Sequence, residues 1–137
     1  MKGKKRVIIQ NNRVHYEFVI KRNITIIQGD SASGKTTLVN MIRQAENLGE
    51  SSGINVSCEV PCRVLEGVNW KIILENSRES IFFIDEENYF IKTEEFASAI
   101  RGSENYFVLI TRENLYNLPY SCLLYTSDAA DDRISVD

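Results

Sequence analysis

Two clusters in this chain have residue types and spacing suited to chemistry. Gly29, Asp30, Ser31, Ala32, Ser33, Gly34, Lys35 and Thr36 fit the pattern G-x-x-x-x-G-K-[ST], and Asp85, Glu86 and Glu87 stand together after the apolar run Ile81-Phe82-Phe83-Ile84. A bound polyphosphate must shed water without losing compensation of its charge. Two glycines, which carry no Cβ, let a loop turn its backbone N–H groups inward onto phosphate oxygens. Lys35 then reaches the β- and γ-phosphates, Thr36 offers a hydroxyl to Mg²⁺, and a helix starting near Gly34 points its positive end at the phosphates. The nucleotide-binding segment is read as running through Thr37. At the second cluster, Asp85 holds the Mg²⁺ shell and Glu86 polarises an attacking water.

These residues need elements to carry them. The run Ile24-Thr25-Ile26-Ile27 leads into the loop as a strand over 24–28, and Leu38, Met41, Ile42, Ala45 and Leu48 recur at helical spacing after it. Four large apolar residues over 81–84 predict a strand buried on both faces, with its acids at the carboxyl tip, where α/β sheets place ligands. A second buried strand is predicted over 106–110, ending in Thr111 and then Arg112. Before the loop, 6–10 and 13–20 read as a β-hairpin turning at Asn11-Asn12, with Val14, Tyr16, Phe18 and Ile20 on one face and the lone His15 on the solvent face. Residues 49–53 break the first helix and 54–58 read as a short strand. A helix over 67–76 is expected with Val68, Ile72 and Ile73 inward and Trp70 at its edge. Thr93 caps a helix that carries Phe96, Ala97 and Ile100 and ends at Gly102, and 114–120 reads as a loop.

The loop pattern together with the apolar strand ending in Asp85-Glu86 resembles the Walker A and Walker B pair of the P-loop NTPases. The adjacent Glu86 resembles the additional-strand, catalytic-glutamate division, which includes the AAA-type and ABC-type ATPases. The resemblance covers about residues 6–118, without an LSGGQ-type signature or an evident Q-loop. It implies a three-layer α/β fold with a mostly parallel sheet, in the spatial order 54–58, 81–85, 106–111, 24–28, with the hairpin at one edge. It also implies that Thr111 is a polar sensor on the strand between the two motif strands, that Arg112 senses phosphate, and that a further strand lies on the far side of 24–28. The work expected is hydrolysis of MgATP by in-line water attack, with Glu86, Lys35 and Thr111 catalytic, Thr36 and Asp85 on Mg²⁺, and an arginine finger supplied by a partner subunit. A small-molecule or nucleotide kinase, for which Arg63, Arg78 and Arg101 are scattered candidates, and a slow nucleotide-gated switch stay open as alternatives. No Asn-Lys-x-Asp guanine-reading motif is present, which favours ATP over GTP.

The carboxyl end reads differently from the rest. Residues 122–132, Cys-Leu-Leu-Tyr-Thr-Ser-Asp-Ala-Ala-Asp-Asp, resemble a translated transposase-type sequencing adapter, TGT CTC TTA TAC ACA TCT GAC GCT GCC GAC. On that reading 1–121 is an incomplete P-loop ATPase domain and 122–137 an artefactual tail that packs on nothing. Four acids (Asp128, Asp131, Asp132, Asp137) and one base (Arg133) lie in the tail, so the 19 acidic and 16 basic residues of the chain leave fifteen of each before it. A neutral domain argues against a general nucleic-acid footprint, although Lys2, Lys4, Lys5 and Arg6 form a small basic cluster. Cys58 and Cys62 lack the further ligands of a zinc site and read as ordinary cysteines of a reducing compartment. With no apolar run of about eighteen residues and no signal segment, a cytoplasmic protein without a membrane partner is expected, alone or as a homo-oligomer.

Overall fold

The computed structural model describes residues 3–21, 23–28, 35–111, 125–126 and 134–135. Loop residues 29–34 and Arg112 lie outside them, as does the expected loop over 114–120.

Two sheets share the chain. Strands β1 (Lys5–Gln10) and β2 (His15–Ile20) form an antiparallel hairpin, flanked by β4 (Asn55–Ser57) and β9 (Ile134–Ser135) in the order β4-β1-β2-β9. Strands β3 (Ile24–Gln28), β5 (Cys62–Val64), β6 (Ile81–Asp85), β7 (Tyr106–Thr111) and β8 (Tyr125–Thr126) form a wholly parallel sheet in the order β5-β6-β7-β3-β8. Helices α1 (Lys35–Leu48), α2 (Trp70–Glu75) and α3 (Glu94–Arg101) complete a mixed α/β architecture.

Strand alternation explains how the parallel sheet is covered on both faces. Ile81 and Phe83 of β6, Tyr106, Val108 and Ile110 of β7 and Ile27 of β3 join Leu38, Val39, Met41 and Ile42 of α1 and the hairpin's Val7, Ile9, Tyr16, Phe18 and Ile20 in one core. The intervening Phe82, Ile84, Phe107, Leu109, Ile24 and Ile26 join Trp70, Leu74, Phe90, Phe96, Ala97 and Ile100 in a second core on the other face. Each buried large apolar side chain contributes about 1.5–3 kcal/mol, so the continuous apolar runs of β6 and β7 are the sheet's main anchor. Thr93 Oγ1 accepts from Phe96 N at 3.1 Å, which fixes the start of α3 where its sequence placed it.

Several expectations are corrected. The hairpin turn is a four-residue loop, since Gln10 pairs with His15. Asn11 does not adopt left-handed angles; its Oδ1 accepts from Arg13 N and Val14 N instead. The 54–58 segment does not edge the parallel sheet: β4 pairs with β1, and Cys62–Val64, just after Pro61, takes the edge beside β6. Pro61 still serves the sheet, because its carbonyl accepts from Ile81 N at 2.8 Å.

The face expected for α2 is found only in part: Ile73 packs against the core as expected, but Val68 and Ile72 do not. Val68 is 87% and Ile72 60% exposed, whereas Trp70 and Leu74 are buried. The helix begins only at Trp70, whose ring stacks on Phe90 at 4.9 Å and meets Phe96 edge-on at 5.6 Å. That aromatic contact outweighs the aliphatic pair in setting the helix rotation.

Two short pairings fall in the segment expected to stand clear of the domain. Tyr125 and Thr126 align with Thr25 and Ile26, and Ile134 and Ser135 with Tyr16 and His15. Both cap sheet edges that would otherwise present unpaired backbone groups. The position beyond β3, where the resemblance implies a further strand, is thus held by β8.

Candidate functional site

The carboxyl ends of the parallel strands bring Gln28, which precedes the loop segment, and the acidic tip to one side of the sheet. β3 ends at Gln28, immediately before the 29–34 loop, and α1 opens at Lys35, so Lys35 and Thr36 form its first turn. β6 ends at Asp85, and β7 runs between them, with Gln28 beside Thr111 and Asp85 beside Ile110. The strand order 81–85, 106–111, 24–28 is the one expected.

Beyond β6 the chain turns tightly. Glu86 N donates to Ile110 O at 3.0 Å, Glu87 N to Asp85 Oδ1 at 3.2 Å and Asn88 N to Asp85 O at 3.1 Å. Asp85 and Glu86 are half-buried and Glu87 is exposed. Thr111, buried at the end of β7, donates its hydroxyl to Glu86 Oε2 at 3.2 Å. The threonine singled out at the strand end therefore bears directly on the second of the three carboxylates.

Thr37, the last residue of the proposed nucleotide segment, lies in the first turn of α1 with an exposed side chain. Burial pushes the Tyr16 phenol above its ordinary range, and a hydrogen bond with Thr37 pulls it partly back. This contact ties the antiparallel sheet to the start of α1.

Two residues that sequence reasoning passed over also reach this end of the sheet. Cys62, Arg63 and Val64 align with Ile81, Phe82 and Phe83, and Leu65 N donates to Phe83 O at 3.1 Å. β5 ends at Val64, and Glu66 follows two residues beyond it. Arg43 grips Glu66 with both arms of its guanidinium, Nε to Oε2 at 2.9 Å and NH2 to Oε1 at 2.8 Å. Glu66 holds the Arg43 guanidinium above its ordinary range, and the charges of Asp85 and Glu87 add to the effect. One turn along α1 the polarity reverses: Glu46 accepts from Arg63 Nε at 3.1 Å and from Val64 N at 3.0 Å. No local pattern flags Glu66 or Arg43, whose ion pair joins α1 to the segment just after a three-residue strand.

No protein-family model, curated protein or solved structure matches the chain.

The remaining candidates sit elsewhere. His15 is half-buried on β2 and bonded to Gln10 at 2.8 Å and Glu17 at 3.1 Å, far from the tip in the sheet order. Arg63 is committed to Glu46, to Ser77 and to the face of Phe82, 5.5 Å away. Arg78 lines a groove of about 760 Å³ between α2 and α3, with Lys71, Leu74, Glu95 and Ala99, next to the amino ends of β6 and β7. Cys58 and Cys62 hydrogen-bond one another. That bond, with the N–H groups of Val60 and Glu59, pulls the Cys58 thiol down to about 6 and pushes Cys62 up.

The oxygens of Asp85, Glu86 and Thr111 are hard donors of the kind Mg²⁺ takes. Among the described residues, however, no group of three or more His, Cys, Asp or Glu side chains gathers to hold a metal ion. No helix of the described residues is long and apolar enough to cross a membrane.

Proposed function

We propose that this chain is a three-layer P-loop ATPase domain that binds MgATP across 29–37 and hydrolyses it. The observation that carries the reading is the arrangement around β7. The motif loop leaves β3, the acidic tip ends β6, and the one strand between them ends in a threonine bonded to Glu86.

The roles follow from chemistry. Backbone N–H groups of Gly29, Asp30, Ser31, Ala32, Ser33 and Gly34, with Lys35, take up phosphate charge, and Thr36 and Asp85 are the residues that would hold Mg²⁺. Held there, Mg²⁺ would supply positive charge to the phosphate oxygens. Glu86 accepts a proton from the water that attacks the γ-phosphorus in line, and ADP leaves on the opposite side. Thr111 holds the Glu86 carboxylate in place through its bond to Oε2. A partner subunit, or a second copy of the chain, supplies an arginine finger to the developing charge.

The test is binding of a fluorescent ATP analogue with Mg²⁺, in the wild type and in Lys35→Ala. Loss of the lysine removes charge-assisted contacts worth about 1.5–3 kcal/mol each. Affinity should fall at least tenfold, and unchanged affinity would sink the phosphate-loop assignment.

A further inference from the structure

The segment that carries the chain from the antiparallel sheet to the parallel one holds two free thiols that the proposed mechanism does not use. β4 ends at Ser57 and β5 opens at Cys62, so Cys58 and Cys62 stand at either end of the link. Exposure alternates along it: Val56, Cys58, Val60 and Cys62 are half-buried, while Ser57, Glu59 and Pro61 are exposed. Both sulfur-bearing side chains thus lie on one side of the link, packed against the core that α1, the hairpin and the parallel sheet share.

The turn aims one sulfur at the other. Glu59 N and Val60 N donate to the Cys58 sulfur, and the Cys62 thiol donates to the same atom. Three donors converging on one sulfur favour its thiolate, whereas Cys62, the donor of the pair, keeps its proton. The Lys5 ammonium of β1 lies within electrostatic reach of Cys58 and is paired with Glu59 at 2.5 Å. A metal site would need further ligands, and among the described residues no group of three or more His, Cys, Asp or Glu side chains gathers. What the link does hold is a nucleophilic sulfur in contact with a second thiol, the two parts that reversible thiol oxidation requires.

We propose that Cys58 and Cys62 are a redox-active dithiol, a modification site in the link between β4 and β5 that takes a small hydroperoxide and closes to an intrachain disulfide. With hydrogen peroxide, the Cys58 sulfur attacks one oxygen and the O–O bond breaks. The departing hydroxide takes a proton from solvent and becomes water, leaving Cys58 as a sulfenic acid. The Cys62 sulfur then attacks the Cys58 sulfur, so that an S–S bond forms, the S–O bond breaks, and the sulfenic hydroxyl leaves as water with the Cys62 proton. The sulfurs give up two electrons and the peroxide gains them. Half-burial of both sulfurs against the core selects a small oxidant over a bulky disulfide. None of this depends on the ATPase reading.

Tryptic cleavage after Arg43 and Arg63 puts both cysteines in one peptide, 44–63, apart from Cys122, so peptide mass analysis of the full chain tests the proposal. The reduced protein is exposed to near-stoichiometric hydrogen peroxide with glutathione as a reference thiol, then blocked with N-ethylmaleimide. Peptide 44–63 should escape the label and weigh two hydrogens less than its dithiol form. It should reach that state about tenfold faster than the glutathione is oxidised, and dithiothreitol should restore it. Cys62→Ser keeps a hydroxyl donor at the same place, so Cys58 should still react but halt as a sulfenic acid that dimedone captures. Cys58→Ser should bring oxidation of Cys62 down to the glutathione rate or below. The wild-type peptide decides even if a serine variant fails to fold. Oxidation of 44–63 no faster than glutathione, a dimedone adduct on Cys62 in place of Cys58, or a disulfide that joins two chains on a non-reducing gel would each overturn the proposal.

Discussion

The two ends of the parallel sheet handle polar groups in opposite ways. At the amino end a set of neutral bonds ties the strand starts together: Asn105 Oδ1 accepts from Ser80 N at 2.9 Å, and its amide nitrogen donates to Ser77 O and Ser103 Oγ at 3.1 and 2.8 Å. Ser80 O in turn accepts from Tyr106 N, and Asn23 O from Phe107 N, both at 2.8 Å. At the carboxyl end Asp85, Glu86 and Glu87 instead follow one another at the tip of β6. The first end closes its polar groups on neighbouring strands, whereas the second ends in three successive carboxylates, of which Glu87 is exposed.

The largest effect that would sharpen this contrast is at Glu86. Glu86→Gln keeps the size and most of the hydrogen bonding but removes the proton acceptor, so steady-state phosphate release should drop about 10²–10⁴-fold while MgATP binding survives. Glu87→Gln is the control. If it abolishes turnover and Glu86→Gln does not, the catalytic register is off by one, and if neither matters the acidic tip is not where hydrolysis occurs.

The amino end should respond in stability alone. Asn105→Ala leaves Ser80 N and Ser77 O without their buried partner and should cost about 2–3 kcal/mol in chemical denaturation, with ATP affinity per folded molecule unchanged. A loss of affinity without a loss of stability would erase the distinction between the two ends.

A smaller effect is expected where the two kinds of group meet. Thr111→Val is nearly isosteric and removes the hydroxyl that bonds Glu86, so turnover should fall about tenfold, in line with one hydrogen bond, and stability should move by less than about 1 kcal/mol. Equal turnover in the variant would mean that Thr111 merely ends its strand.

The mildest test lies off the sheet ends, in the link between β4 and β5. With its thiol drawn down to about 6, Cys58 is mostly thiolate at neutral pH, and the raised Cys62 is not. Iodoacetamide labelling followed by peptide mass analysis should modify Cys58 first, at a rate that climbs as pH rises through about 6 and then levels. Equal labelling that rises only above pH 8 would show two ordinary thiols.

What could be read from the sequence was whatever is written in consecutive residues. The runs 81–85 and 106–111, the Thr93 cap and the acidic tip each carry their signal within one element, and each lies where it was expected. The strand at Cys62–Val64 was not legible, since three residues behind a proline show no period, and with it went Glu66 and its grip by Arg43. The face of α2 was in part misjudged for a related reason: its rotation is set by the contact of Trp70 with Phe90 and Phe96, which are distant in sequence.

The position of β7 has a consequence for how the chain reaches this state. In the sheet β7 lies between β6 and β3, which have no pairing with each other, yet in the chain it follows both. During synthesis β3 emerges without a strand to pair with in its sheet and β6 with only the short β5 along one edge, until residues 106–111 leave the ribosome and insert between them. Pairing of Ile24 with Phe107 spans most of the domain, a separation that slows folding and prolongs the exposure of open edges. A nascent chain stalled short of Tyr106 is therefore the form most exposed to aggregation and the form a ribosome-associated chaperone would have to hold.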